Sequence, residues 1–477
     1  MKTAIKASWV VGWDGGQHQI IRDGVCVLED DHVLRTGKSY DGPVDQTIDA
    51  TGKLVSPGLI CTHRHAGINA SDYIFLDRDR PDSMARNYLN WHAGVKGKPR
   101  YEPPLRLRVM WGLGQCLQAG QTTVLEFAAG GEPEEFVQFA AELGIRVYTG
   151  PGHRNALIFA RDDGGIEYEW DDARGFNALK RSLDFAERFD GHAGGRIKAL
   201  LCAGHPDTCT LELLRETAVQ GRRHKLPITI HAAIHGLEME RVLDTYRLTP
   251  IQLLDKAGLL GTDVILDHVL FISGHSWTRY HDAPDLQLLG QSHATVSHSP
   301  LKYFHMGVHL ESLRRYIEAG VNMTIGTDFP PGDILAEMRY TMLLSRVADK
   351  SFLSGTPRDV FDAATVNAAK ALGRDDLGRL APGAKADVAI FDMRKMHFGA
   401  VHDPVKSLVE AGTASDVDTV FVDGKVVVRD GQLATVNQRA LIDECQREGE
   451  KAWADVPNWS WGGRGIEDMV PPAYPVL

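Results

Sequence analysis

Short apolar runs separated by turn residues occupy both ends of the chain. The early runs lie at 9–11, 20–21, 25–28 and 47–49, and Gly and Pro residues stand between them. Runs of this kind are typical of short strands. Similar runs return at 386–391, 417–422 and 426–428, and Asp423-Gly424 has the composition of a hairpin turn. Because neither end has enough strands for a core of its own, we predict one small β-sandwich domain built from both chain ends.

Between the two ends, apolar strands alternate with helical stretches. This alternation is typical of repeated βα units around a parallel sheet. The candidate strands lie at 59–62, 123–127, 146–148, 197–202, 227–230, 264–267, 294–296 and 323–325. Eight such strands predict an α/β fold of the (β/α)8 or TIM barrel type, in which the active site lies at the carboxyl ends of the strands.

The predicted domain organisation has four segments. They are the first part of the β-sandwich at 1–55, the barrel at 56–384, the second part of the sandwich at 385–440, and a C-terminal helix with a docked tail at 441–477. The tail is rich in tryptophan and proline, so we expect it to dock on its own barrel or on a neighbouring subunit.

Composition excludes several classes of partner. The chain has 477 residues, 43% of them hydrophobic and 24% charged, with a net charge of -11. Interspersed charges with an acidic balance disfavour nucleic acid and anionic membranes as partners. The six cysteines form no CxxC pair, and neither a signal peptide nor a membrane-spanning run is evident. We therefore expect a reduced, cytoplasmic protein.

Histidines and one aspartate follow the predicted barrel strands. His63 and His65 leave the first strand on the same side, because side chains alternate along a strand. The residues that follow later strands are His231 after the fifth, His268 after the sixth, His298 after the seventh and Asp328 after the eighth. A single histidine is usually a hydrogen-bonded structural residue, but the joint pattern at one face of a barrel indicates a metal site.

These segments resemble the motifs of the amidohydrolase superfamily, in the same order along the chain. The matching stretches are VSPGLICTHRH, PITIHAAIHG, VILDHVLFIS, ATVSHSPLKY and MTIGTDFPPGDILAEMR, together with the late segment TVNAAKALGRDDLGRLAPGAKADVAIFD. The resemblance covers roughly residues 1–440. It is strongest to the branch that holds cytosine and guanine deaminases, adenosylhomocysteine-type deaminases and triazine chlorohydrolases.

The resemblance implies roles for individual residues. It makes His63, His65, His231 and Asp328 the ligands of one divalent metal ion per chain, with Asp328 also carrying a proton. Three imidazoles and one carboxylate suit Zn²⁺ first, and Fe²⁺, Mn²⁺ or Co²⁺ also fit. The metal would lower the pKa of its bound water to about 7, and the resulting hydroxide would attack an electrophilic carbon. His268 would contact that water or the substrate as a second catalytic residue.

One departure from the deaminase pattern bears on the substrate. The branch has a glutamate three residues after the fifth-strand histidine, where it protonates a ring nitrogen; here the residue is Ile234. Isoleucine cannot donate a proton, whereas an amide, urea or carbamate carbonyl is polarised by the metal directly. His235 follows at once and either replaces the missing acid or caps the helix that begins near Gly236.

Four further residues are candidate substrate contacts. They are His205 after the fourth strand, His235, His298 and Phe329, the last of which follows Asp328 in place of a small residue. His298 has a structural alternative. Lys198, at the start of the fourth strand, is interpreted as a solvent-facing lysine rather than a bridging ligand for a second metal. The first barrel loop, 69–98, contains several aromatics and is a candidate lid or subunit contact.

Three functions are compatible with these observations. The leading hypothesis is a metal-dependent hydrolase of amide, urea or carbamate C–N bonds in a small aromatic or apolar molecule. The second is a deaminase or chlorohydrolase of an aromatic nitrogen heterocycle, such as an aminopyrimidine or s-triazine. The third is a metal-binding barrel without catalytic activity, which the full set of ligands argues against. The resemblance also implies a homo-oligomer, a dimer or larger.

Overall fold

The computed structural model describes residues 1–67, 101–160, 166–305, 307–459 and 463–476. Its strands are β1 Lys2–Trp13, β2 His18–Glu29, β3 His32–Gly37, β4 Gln46–Pro57, β5 Leu59–Arg64, β6 Gln121–Glu126, β7 Arg146–Thr149, β8 Gly152–His153, β9 Ala156–Ala160, β10 Ile166–Trp170, β11 Ile197–Ala199, β12 Leu201–Ala203, β13 Ile228–Ala232, β14 Val264–His268, β15 Thr295–His298, β16 Asn322–Ile325, β17 Val388–Asp392, β18 Val417–Val422, β19 Lys425–Arg429 and β20 Gln432–Leu433. The predicted loop at 69–98 lies outside these described residues.

Helices follow most of the parallel strands. They are α1 Leu105–Gln118, α2 Pro133–Leu143, α3 Asp172–Phe189, α4 His192–Gly195, α5 Leu211–His224, α6 Gly236–Tyr246, α7 Pro250–Ala257, α8 Asp285–Gln291, α9 Pro300–Phe304, α10 Leu313–Glu318, α11 Ile334–Asp349, α12 Pro357–Ala363, α13 Val366–Ala371, α14 Pro404–Ala411, α15 Gln438–Trp459 and α16 Ile466–Met469. Short 3-10 turns lie at Ala128–Gly131 and Ala414–Asp416. Within the described part of the chain, no helix has the length and apolar character needed to cross a membrane.

Strands from both chain ends form a single β domain. Eight of them hydrogen-bond in the order β20-β19-β18-β17-β4-β1-β2-β3. The strands of the two chain ends are joined in one sheet, because β4 pairs in parallel with β1 on one side and antiparallel with β17 on the other. Residues such as Val55 and Ile390 bury a small core on one face, while Leu54 and Phe391 on the other face join the large core.

Parallel strands form the central α/β unit. They lie in two sheets, ordered β11-β7-β6-β5 and β16-β15-β14-β13-β12-β8. All eight predicted strand positions carry strands, and the fourth is divided at Leu200 into β11 and β12. The antiparallel pair of β9 and β10 was not predicted, although the apolar run of β9 and the alternation of β10 are both typical of strands. The strands are buried on both faces, as expected for a parallel sheet covered by helices.

The first parallel strand lies beside the last ones. The hydroxyl oxygen of Thr62 on β5 lies 2.7 Å from that of Ser297 and 2.8 Å from that of Thr324. A parallel bridge also joins Arg64 to Asp328. The carboxyl ends of β5, β13, β14 and β16 therefore meet in one place, which is where the predicted metal ligands stand.

The C-terminal helix α15 packs on the outside of this unit. Ala452 and Val456 are buried. Gln438 at its start accepts a hydrogen bond from the side chain of Gln118 at 3.0 Å. Trp461 of the predicted docked tail lies outside the described residues.

A buried arginine joins the parallel strands to the β domain. Arg146 at the start of β7 donates two hydrogen bonds to Asp387, each 3.1 Å long, and another to Asp423 in the turn between β18 and β19. Arg146 is 1% exposed. Removing one partner from such a buried network leaves uncompensated charge in a low-dielectric interior.

We therefore expect Arg146→Met to lower the free energy of unfolding by about 3 to 5 kcal/mol, because the buried Asp387 loses its counterion and Asp423 is left with the more distant Arg196 at 3.8 Å. The matched control is Arg222→Met, which breaks the surface ion pair with Asp263 and should cost less than about 1 kcal/mol. Denaturant unfolding of the two variants beside the wild type measures the difference. Equal denaturation midpoints for all three proteins would contradict the conclusion that the buried Arg146 network stabilises the fold.

Candidate active site

Three imidazoles and one carboxylate converge at the carboxyl ends of the strands. His63 and His65 leave the end of β5, His231 stands on β13, and Asp328 follows β16. Nε2 of His65 lies 3.4 Å from Nε2 of His231 and 3.6 Å from Oδ1 of Asp328. Nε2 of His63 lies 3.7 Å from the same carboxylate oxygen. The sequence-predicted ligand set is thus brought together, and its ligand atoms face one another.

This arrangement fits a divalent cation. Two ligands held at 2.0–2.1 Å by a tetrahedral ion lie about 3.3 to 3.4 Å apart, close to the separations found here. Among the described residues, Nε2 of His63 and Oδ1 of Asp328 are buried without a hydrogen-bond partner. Buried acceptors that point at one another are costly unless a cation lies between them. The donor set is also the mixture of imidazole and carboxylate that such ions take.

Asp267 orients His63, one of the predicted ligands. Its Oδ2 lies 3.1 Å from Nδ1 of His63 and accepts a hydrogen bond from Thr229 at 2.8 Å. The carboxylate therefore holds the Nδ1 proton and turns Nε2 toward the other ligands. Sequence reasoning missed Asp267, although an aspartate inside the apolar strand β14 was an available signal.

His268 lies beside the ligand cluster. Its Nε2 is 3.4 Å from Oδ2 of Asp328, and both side chains are fully buried. Burial lowers the pKa of His268 well below its ordinary value, so the imidazole is neutral at pH 7. His268 and Asp328 have φ angles of 78° and 51°. Non-glycine residues adopt this left-handed conformation at a cost, and it is concentrated at functional sites.

Lys302 is a second residue that sequence reasoning missed. Its Nζ lies 2.8 Å from Oδ2 of Asp328 and 4.6 Å from the centre of the Phe329 ring. Burial would raise the pKa of Asp328, but Lys302 and His63 hold that pKa well below its usual range. The one available signal was a lysine set among apolar residues directly after His298-Ser299-Pro300.

The weaker candidates have different positions. His205 stacks on His231 with ring centres 4.8 Å apart, and the Phe329 ring centre is 5.7 Å from that of His65. His298 is buried at the end of β15. Within the described part of the chain, it does not belong to any cluster of side chains close enough to bind one metal ion together. Lys198 forms an ion pair with Asp190 at 2.6 Å, away from the cluster.

The turn after β13 contains the departure from the deaminase pattern. Ile234 is 2% exposed, so the position of the missing glutamate is filled by a buried apolar side chain. The carboxylate of Glu238, in the first turn of α6, lies against the loop that contains Ile234. It accepts hydrogen bonds from the backbone N–H groups of Ala233 at 2.8 Å and Ile234 at 3.0 Å. His235 caps α6, and its Nδ1 accepts the backbone N–H of Glu238 at 3.0 Å. Sequence reasoning did not identify Glu238.

Taken together, the parallel strands and the cluster at their carboxyl ends are the arrangement expected of a metal-dependent hydrolase. The sequence profile of the amidohydrolase family matches residues 54–427. The chain is 30% identical over 434 residues to 5-methylthioadenosine/S-adenosylhomocysteine deaminase of Pyrococcus furiosus, covering 90% of this chain and 96% of that protein. It is 28% identical to 5'-deoxyadenosine deaminase of Methanosarcina mazei, covering 95% of this chain and 98% of that one.

Solved structures share the fold. Atrazine chlorohydrolase of Arthrobacter aurescens, complexed with zinc, superposes with a TM-score of 0.79 at 22% identity, covering 94% of this chain and 100% of that one. An adenosine deaminase of Xanthomonas campestris with bound zinc has a TM-score of 0.78 at 18% identity, with coverages of 94% and 98%. The chain belongs to the amidohydrolase family. It is an enzyme that uses a divalent metal to hydrolyse C–N bonds of a small molecule.

Proposed function

We propose that this enzyme hydrolyses the C–N bond of an amide, urea or carbamate in a small aromatic or apolar molecule. We also propose that its parallel strands close into a (β/α)8 barrel and that its metal is one Zn²⁺ per chain. The observation that carries the substrate assignment is the buried Ile234 in place of a proton-donating glutamate. A ring carbon must be activated by protonation of the neighbouring nitrogen, whereas a carbonyl carbon is already electrophilic.

His63, His65, His231 and Asp328 would hold the ion. When bound, it supplies a water ionised at neutral pH and polarises the carbonyl of the substrate. Asp328 accepts the proton of the attacking water and passes it to the departing nitrogen. The ammonium of Lys302, 2.8 Å from Asp328, keeps that carboxylate ionised and ready to accept. The neutral imidazole of His268, 3.4 Å from Oδ2 of Asp328, donates a hydrogen bond that orients the nucleophile or stabilises the oxyanion.

Aromatic side chains around the ligands support an aromatic or apolar substrate. The Phe127 ring centre is 4.1 Å from that of His231, and the Tyr303 ring centre is 5.0 Å from that of His268. Phe329 lies on the other side, against His65. Small-molecule sites commonly combine walls of this kind with a few fixed polar groups.

The relatives favour a second candidate. Two of the similar curated proteins are named as deaminases of adenosine-like compounds, so the alternative is deamination of an aromatic nitrogen heterocycle. That reaction needs a proton donor for the ring nitrogen, a role that Ile234 cannot fill.

The experiment presents the zinc-loaded enzyme with aryl ureas, carbamates, anilides, aminopyrimidines and triazines, and identifies the departing group by mass spectrometry. We expect release of an alkylamine or arylamine from carbonyl compounds. Release of ammonia or chloride from a ring carbon would overturn the proposal in favour of the second candidate. Omission of the metal from a parallel sample is the control.

Assembly and location remain expectations. We propose that the protein is a homo-oligomer in the cytoplasm. Light scattering of the purified protein measures its mass in solution, and a monomer would contradict the first part of this proposal.

A further inference from the structure

We propose that one face of α11 docks against the same face of a second copy of this chain, and that this contact restrains the helix that carries Lys302. The α11 face consists of four apolar residues, Tyr340, Leu343, Leu344 and Val347. The inference rests on the homo-oligomer proposed above and goes further, because it names the surface through which two copies meet.

The sequence of α11 is apolar on two opposite sides. On one side, Met338, Met342 and their neighbours are buried in the protein. On the other side, the residues of the α11 face follow the spacing i, i+3, i+4 and i+7, which places them on one stripe of the helix. Tyr340 and Leu343 are exposed in this stripe, and Val347 is 69% exposed. Such a spacing is typical of a helix that packs against another helix.

The turn after α11 adds two apolar side chains and holds them in solvent. Phe352 is 82% exposed and Leu353 is 63% exposed. The hydroxyl oxygen of the next residue, Ser354, lies 2.7 Å from that of Ser345 on the buried side of α11, and both serines are buried. Because this contact fixes the turn on the helix, Phe352 and Leu353 extend the apolar surface beyond the end of α11 instead of folding into the core.

The two arginines of α11 point away from its apolar face. Arg339 donates hydrogen bonds to the carbonyl oxygen of Val409, at 3.1 Å, and to that of Gly412. Arg346 pairs with Glu410 of α14 at 3.5 Å. The α11 face therefore offers no charge to a nucleic acid or to an acidic or basic peptide, and the partner it fits is another apolar surface.

The size of this apolar surface fits an interface between two copies. The exposed fractions of the α11 face, Phe352 and Leu353 amount to about 600 Å², the upper end of the range for the largest apolar patch on a monomer. Two such surfaces bury about 1,200 Å² in total, which reaches the size of a stable interface before any polar rim is counted. A two-fold axis brings the same surface of each copy together, and an uncharged apolar surface is complementary to itself.

The α11 face is connected to the active site through α9. At the end of α9, the Phe304 ring lies edge-on against Tyr340, with ring centres 5.5 Å apart. At its start, the N–H of Leu301 donates a hydrogen bond to the buried carboxylate of Glu337 on α11, at 3.0 Å. Lys302 stands between these two contacts. A second copy seated on Tyr340 therefore restrains α9 from outside the protein.

The experiment measures the mass of the protein in solution by light scattering, with variants that place a charge on the α11 face. Val347→Lys and Val347→Glu should each have half the mass of the wild type, because a charge would be buried against an apolar partner without a counterion. An equimolar mixture of the two variants should regain the full mass, since opposite charges then meet across the two-fold axis.

Val219→Lys is the matched control. Val219 is an exposed apolar residue on α5 and does not belong to the α11 face, so this variant should keep the wild-type mass. The thermal midpoint shows that each variant is folded.

Hydrogen exchange of the same proteins tests the connection to α9. We expect the backbone N–H groups of α9 to exchange about 10-fold faster in Val347→Lys than in Val219→Lys, because a helix that loses an outer restraint opens more often. Mass spectrometry of the peptides that cover α9 gives the two rates.

Four outcomes would overturn the inference in whole or in part. A wild-type monomer would overturn it together with the proposed homo-oligomer. An oligomeric wild type whose mass is unchanged in both Val347 variants would overturn it alone, and would give the α11 face another occupant, such as the exposed C-terminal residues Tyr474 and Val476. A mixture that stays at half the mass would overturn the two-fold arrangement. Equal exchange rates would overturn the restraint on Lys302.

Discussion

Asp328→Ala abolishes turnover, with kcat reduced by about 10⁴-fold or more. In the proposed mechanism the carboxylate is both a metal ligand and the group that carries the proton from water to the leaving nitrogen, and proton transfer alone is worth about 10² to 10⁴ in rate. The loss also leaves the ammonium of Lys302 without its buried partner 2.8 Å away. Steady-state kinetics with an amide or carbamate substrate, together with the zinc content of the variant, measure the effect.

Asp184→Asn is the matched control for Asp328→Ala. It removes the charge of an exposed aspartate that pairs with Lys180 on the surface of α3. Its kcat should equal that of the wild type. Near-normal turnover by the Asp328 variant would contradict the mechanism, because no other described carboxylate lies against both His268 and Lys302.

Removal of the metal with a chelator abolishes turnover and lowers the thermal midpoint. A cation held by Nε2 of His65 and Nε2 of His231, which lie 3.4 Å apart, would bind the folded state alone, because only folding brings the two imidazoles together. A ligand that binds only the folded state stabilises it by about 4 kcal/mol at a thousandfold excess over its dissociation constant. The test is to remove the metal by dialysis against dipicolinate, to measure the thermal midpoint by calorimetry and turnover by kinetics, and then to add Zn²⁺.

Restoration of both activity and midpoint by added Zn²⁺ is the expected result. Full activity with the metal reduced to background, as measured by elemental mass spectrometry, would contradict the assignment of His63, His65, His231 and Asp328 as ligands. A buffer exchange without chelator controls for losses in handling. Loss of activity without a change in midpoint would show that the ion does not contribute to stability.

The positions of the ligands could be predicted because strand geometry determines them. His63 and His65 are two residues apart on a strand, so their side chains share a side. His231 and Asp328 follow other parallel strands, whose carboxyl ends must meet at the same edge. Alternation of apolar strands with helices was sufficient to place all eight strand positions. The sequence also predicted that both chain ends build one β domain, because neither end has enough strands to form a core of its own.

Lys302, Asp267 and Glu238 could not be predicted in the same way. Lys302 stands on the short helix α9, and its direction depends on the path of the preceding loop. Asp267 could equally have served as a strand residue paired with a neighbouring hydroxyl. Glu238 appears in sequence as an ordinary first-turn glutamate of α6, and only the left-handed turn at Ala233 brings its carboxylate back to Ile234. Loop paths and backbone conformations of this kind depend on tertiary packing rather than on local periodicity.

One reaction tests the central claim most directly. The zinc-loaded enzyme is given 2-acetamido-4-aminopyrimidine in water enriched in oxygen-18, so that a single compound offers both an exocyclic amide and a ring amine. We predict loss of the acetyl group, with the heavy oxygen in acetate and both ring amines retained. Release of ammonia with the heavy oxygen on the ring carbon would contradict the account, because it would show that a buried isoleucine at position 234 does not prevent ring deamination.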